Sequence, residues 1–62
     1  MADDALHTLV HDLRAPLTVV EGFSDLLARR SGELAATERD EYLGRIVEAA
    51  REMRELLDRA GA

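Results

Sequence analysis

Apolar residues recur at alternating intervals of four and three along both halves of this chain, and that rhythm leaves it little choice of fold. Leu6, Val10, Leu13, Leu17, Val20, Ser24 and Leu27 form one series; Leu43, Ile46, Ala50, Met53, Leu57 and Ala60 form the second. Residues three and four apart stack on one face of an α-helix, so each series predicts an amphipathic helix with a heptad seam. Leu9, Pro16 and Phe23 widen the first seam on one side, and Tyr42, Ala49 and Leu56 flank the second at sevens. Stripes this broad suit helices that touch two neighbours.

The breaks between the series are also legible. Asp3 or Asp4 can start the first helix, with acid at the positive end of its dipole, and Arg29 and Arg30 complement the other end. Ser31-Gly32 is a stop, with Gly32 suited to a left-handed position after the last turn. Thr37 reads as an N-cap, followed by Glu38, Asp40 and Glu41. The expected layout is one domain over residues 1–62, with a helix over about 3–31, a turn over about 32–37 and a second helix over about 38–60. Glu41–Arg45 and Glu55–Arg59 are acid-first pairs four apart on the outer face. Gly44, inside the second helix, costs about 1 kcal/mol against alanine.

So short a link makes the two helices antiparallel. A single hairpin leaves half of each stripe wet. Sixty-two residues rarely supply a sufficient core, and with no cysteine there is no disulfide to compensate. The expected fold class is therefore all-α, an antiparallel two-helix hairpin that dimerises into a four-helix bundle.

Charge and hydropathy exclude several functions. The net charge of -5 argues against nucleic acid, which wants a basic stripe. No apolar run approaches the ~20 residues needed to span a bilayer, so no membrane contact is expected of this segment. Met1-Ala2-Asp3-Asp4 is acidic where a signal peptide would be basic. A cytoplasmic location is expected, including the cytoplasmic part of a membrane-bound receptor.

The chemistry gathers at His11-Asp12-Leu13-Arg14-Ala15-Pro16-Leu17. At ~100° per residue His11 falls opposite the apolar stripe, with His7, Arg14 and Thr18 on the same outward face. Pro16 lacks the N–H that should bond the carbonyl of Asp12, and the helix is expected to bend between residues 12 and 16. Such a proline costs about 3 kcal/mol in a helix interior. An exposed imidazole keeps a free ring nitrogen at neutral pH and can attack phosphorus in line. Asp12 could accept the other ring N–H, fixing the tautomer. His7 and His11, four apart, could also chelate a metal, but nothing supplies ligands from a second helix, so no metal is expected.

This stretch resembles the histidine box of the dimerisation and histidine-phosphotransfer domain of sensor histidine kinases, the HisKA type. The family pattern is His, an acid, two variable residues, Thr, Asn or another small residue, then Pro-Leu. Gly22-Phe23-Ser24-Asp25-Leu26-Leu27 resembles the continuation of that helix, and Glu41-Tyr42-Leu43 through Ile46 to Leu56-Leu57 resembles the second. The resemblance implies a fragment of a protein histidine kinase. In it His11 is the phosphoacceptor, aided by Asp12, and passes the phosphoryl group to an aspartate of a response-regulator receiver domain. It implies as partners a second copy, an ATP-binding catalytic domain and the receiver. ATP and Mg2+ would come with the catalytic domain; this segment shows no nucleotide motif and is not expected to act alone. Ala15 stands where members with strong phosphatase activity carry Thr or Asn to orient a water, which a methyl cannot do.

Ala15, Thr18, Val19, Gly22 and Leu26 form a second, smaller stripe between His11 and the core, expected to dock the partner. Arg14 either steers phosphates or an acidic receiver site, or only solubilises the helix. Two other readings stand beside the kinase fragment: a stand-alone phosphotransfer module, and a purely structural dimerising hairpin.

Overall fold

The computed structural model describes residues 2–61 of the chain. Two helices, α1 (Ala2–Arg30) and α2 (Ala36–Arg59), pack against each other as an antiparallel hairpin, a rod 48 Å long and 16 by 12 Å across. Among the described residues no helix is long and apolar enough to cross a membrane.

The turn differs in detail from its expected form. The Glu33 N–H donates to the Arg30 carbonyl at 2.9 Å, closing a tight turn directly off α1. Gly32 is not left-handed; among the described residues the positive φ belongs to Gly61, at 79°, whose N–H donates to the Asp58 carbonyl at 3.1 Å and stops α2. α2 begins earlier than Thr37 would place it. Its N-cap is Ala35, in an extended conformation (φ -66, ψ 154). A methyl cannot accept a hydrogen bond, so only half of a capping box forms: the Glu38 carboxylate accepts from the Ala35 N–H at 3.1 Å.

Phe23 and Tyr42 set the register across the hairpin, their ring centroids 5.1 Å apart. The residues of the two helices that are not exposed are Leu9, Leu13, Pro16, Val20, Phe23, Leu26 and Leu27 on α1, and Tyr42, Ile46, Ala49, Met53, Leu56 and Leu57 on α2. Of these Pro16 and Ala49 are buried and the rest half-buried. The contact between the helices thus takes in part of each seam (Leu13, Val20 and Leu27; Ile46 and Met53) together with its flank (Leu9, Pro16 and Phe23; Tyr42, Ala49 and Leu56). Leu6, Leu43 and Val47, from the seams and their margin, are left 61%, 51% and 47% exposed, and Val10 and Leu17 are also open.

Winding at ~100° per residue carries Leu6, Val10 and Leu17 of α1 and Leu43 and Val47 of α2 to one side of the hairpin. Asp12, Ala15, Val19 and Gly22 fall on the opposite side, with Glu41, Arg45, Glu48 and Arg59 of α2. The pairs expected at Glu41–Arg45 and Glu55–Arg59 do not form. Arg59 Nε instead approaches the Glu55 carbonyl at 3.4 Å, and the ion pair made four apart is Asp25–Arg29, at 2.9 Å.

Candidate functional site

His11 stands on the outer surface of α1, its side chain 79% exposed. It follows from the spacing: α2 covers the Leu9–Pro16–Phe23 face, and His11 lies well round the helix from it. Its Nδ1 is 3.3 Å from Asp12 Oδ1, a long hydrogen bond between neighbours that do not share a helix face. Both rotamers swing toward each other to make it. The tautomer that makes this bond carries its proton on Nδ1, which leaves the Nε2 lone pair free.

Pro16 lies five residues on and is buried. Its ring therefore serves the contact with α2 as well as interrupting the backbone ladder. α1 nonetheless runs unbroken from Ala2 to Arg30, so the expected bend does not interrupt the helix. The Asp12 carbonyl lacks its usual donor because proline has no N–H to give.

A shallow depression of about 220 Å³ is lined by Thr18, Val19, Gly22, Phe23 and Leu26. It holds four of the five residues of the expected docking stripe, Ala15 being exposed and outside its lining; Arg14, also exposed, lies outside it too. Thr18 Oγ1 donates to the Arg14 carbonyl at 2.9 Å, which directs its methyl group outward. A Cβ added at Gly22 would meet nothing within 4 Å. Phe23 was not in the expected set, although it lies four residues after Val19 on the same flank.

A second open depression, about 490 Å³, lies on the other side of the histidine toward the chain termini. Asp4, Thr8 and Asp12 of α1 face Leu56 and Arg59 of α2 across it. Sequence spacing could show the Asp4–Thr8–Asp12 line on one helix, but bringing Arg59 to it needs the hairpin. Among the described residues no three His, Cys, Asp or Glu side chains are gathered as metal ligands would be.

A family model, the His Kinase A (phospho-acceptor) domain, matches residues 1–60. The chain belongs to that family. The match spans both helices, so it takes in His11, Pro16 and the depression below them together. Searches of the curated proteins and of the solved structures return no match. As a HisKA domain, the hairpin is a phosphoacceptor segment of the histidine-kinase type, and its two helices agree with the expected fold class.

Proposed function

We propose that His11 is the phosphoacceptor of a two-component sensor histidine kinase. The observation that carries this reading is the exposed imidazole whose Nδ1 faces Asp12, leaving Nε2 open. ATP, with its Mg2+, is the substrate and is brought by a separate catalytic domain. The Nε2 lone pair attacks the γ-phosphorus in line; an N–P bond forms as the bond from phosphorus to the ADP oxygen breaks, and that electron pair leaves on ADP. The imidazole becomes positively charged as this happens. Asp12, holding Nδ1–H, stabilises that charge and keeps the ring from turning.

In the second step a receiver aspartate oxygen attacks the same phosphorus. The N–P bond breaks and its electrons return to Nε2, restoring the neutral ring. The receiver seats over the depression at Thr18, Val19, Gly22 and Leu26, with Arg14 and Ala15 beside it. Gly22 lets its backbone come close, and Ala15 offers no hydroxyl or amide to orient a water, so hydrolysis of the receiver's phosphate is weak.

The functional unit is a homodimer. Leu6, Val10, Leu17, Leu43 and Val47 lie on one side of the hairpin and are largely open. Covering them against a second copy contributes on the order of 5 kcal/mol at ~25 cal/mol per Å². The result is a four-helix bundle with each His11 on an outer corner.

The test is to mix the chain with a separate histidine-kinase catalytic domain and γ-labelled ATP. Acid-labile label should appear on His11 and disappear in His11→Gln, while His7→Gln keeps most of it. Label that follows His7 refutes the assignment, and absence of label on a folded dimer favours a purely structural hairpin.

A further inference from the structure

We infer that Tyr42 is a positioning residue for the receiver: it holds the Phe23 ring in place as a wall of the docking depression, and so gives α2 a part in seating a partner on α1. The inference rests on the proposed docking of the receiver over Thr18, Val19, Gly22 and Leu26. All the residues that line the depression belong to α1. Phe23 is the one among them that also makes a ring contact with α2, its centroid 5.1 Å from that of Tyr42 and the two planes tilted by 43°. Tyr42 does not itself line the depression. The Phe23 ring thus has two duties, as lining of an open surface and as the stacking partner of a residue behind it.

The surroundings show what holds that wall. A Cβ added at Gly22 would meet nothing within 4 Å, so the ring is not propped from the neighbouring position in the depression. Phe23 and Tyr42 are both half-buried. A ring in so open a place has more than one rotamer within reach, and a tilted contact between rings about 4.5–7 Å apart selects among them. Shortening Tyr42 to an aliphatic residue removes that contact and leaves a gap between the helices into which the Phe23 ring can turn. The wall then falls back, and the depression loses the shape that a partner fits. Among the described residues the Tyr42 hydroxyl makes no hydrogen bond, so the ring carries the effect.

The coupling runs both ways. A partner that needs the Phe23 ring in its stacked position favours the Phe23–Tyr42 contact when it seats. Tyr42 therefore senses the partner without touching it.

The experiment labels the chain with a separate histidine-kinase catalytic domain and ATP, then follows transfer to an isolated receiver domain at increasing receiver concentration. Tyr42→Leu should raise KM for the receiver about two- to tenfold, the worth of one aromatic pair, with kcat nearly kept, and Tyr42→Phe should restore the wild-type value. In a Phe23→Leu background Tyr42→Leu should add nothing to KM, because its effect passes through the ring already removed. A residue that only supported the fold would add its full effect in both backgrounds and lower helicity as well. Since Tyr42→Leu can loosen the hairpin, a second measurement keeps the wild-type sequence. The chain has one tyrosine, so fluorotyrosine places a single fluorine signal at Tyr42. That signal should move when the receiver is added, and stay in place in Phe23→Leu at saturating receiver. An unchanged KM in Tyr42→Leu, additive effects of the two substitutions, or a fluorine signal that ignores the receiver overturns the inference. Gly22→Trp separates it from the docking reading. If that variant also transfers at the wild-type KM, the receiver seats elsewhere and the docking reading fails; if it blocks transfer while Tyr42→Leu does not weaken it, the role of Tyr42 alone falls.

Discussion

Pro16 and Ala49 meet at one level of the hairpin. Counting from the ring contact of Phe23 with Tyr42, seven residues back along α1 and seven forward along α2 arrive at these two (23 to 16, 42 to 49). They are the buried residues among those described, one on each helix. A proline ring and a methyl group allow the helices to lie close where the backbone of α1 has lost a hydrogen bond.

Enlarging Ala49 should therefore push the helices apart. Ala49→Leu is expected to destabilise the fold by about 1–3 kcal/mol, read as a lower urea midpoint with an unchanged slope. An unchanged midpoint would mean the level has room that the structure does not show.

Leu17 and Val47 lie on the side proposed to meet a second copy, and neither takes part in the contact between α1 and α2. Leu17→Glu and Val47→Glu should reduce the dimer to a monomer in sedimentation at micromolar concentration, with marked loss of helicity. Leu13→Asp is a harsher change, because Leu13 is half-buried within the hairpin itself. A Leu17→Glu protein that sediments as a stable dimer would place the interface elsewhere.

Gly22 separates stability from docking. Its missing side chain leaves open space, so Gly22→Ala should raise helix stability by about 1 kcal/mol. Gly22→Trp should leave His11 labelling near the parental rate and block transfer to a receiver domain. Transfer at full rate through the Trp variant would move the docking surface off the Thr18–Leu26 depression.

Asp12→Asn tests the neighbour of the histidine. The amide can still bond the ring but cannot match the charge that develops on it. Labelling of His11 should slow by about 10²-fold, within the range for one positioned acid–base group, while the circular dichroism spectrum is unchanged. Labelling at the wild-type rate removes Asp12 from the mechanism.

The two helices, their antiparallel order and the exposure of His11 were all legible in the sequence, because each follows from spacing along one helix. The division of the apolar stripe was not. Whether α2 covers Leu9 and Phe23 or instead Leu6 and Leu17 depends on which way the hairpin folds over, and intervals of three and four are the same for both. The start of α2 was misplaced for a different reason. Thr37 is a good capping residue by type, but Ala35 holds the cap position through Glu38, a back-bond that leaves no mark at the cap residue itself. The left-handed conformation expected of Gly32 is found at Gly61 instead: the turn at Gly32 closes by a bond from the Glu33 N–H to the Arg30 carbonyl and needs no left-handed residue, whereas Gly61 ends a helix and adopts one. Of the site, His11 and Asp12 were readable as a pair, and Thr18, Val19, Gly22 and Leu26 as a stripe beside them, whereas Phe23 of the same depression was not. Arg59 was not, since only the folded hairpin carries it to the Asp12 side.

The hydrogen bond that Pro16 withholds from Asp12 also has a mechanical meaning. A helix resists bending through its ladder of carbonyl-to-amide bonds, and α1 lacks one rung. The missing rung makes that level the place where α1 bends most easily, between two stiffer segments. His11 rides on the segment toward the N-terminus, whereas Thr18, Val19, Gly22 and Leu26 ride on the segment toward the turn. A small tilt at the joint would swing the imidazole through an arc relative to the Thr18–Leu26 depression, so the distance between His11 and a partner seated there, as proposed, would be adjustable without unfolding either half.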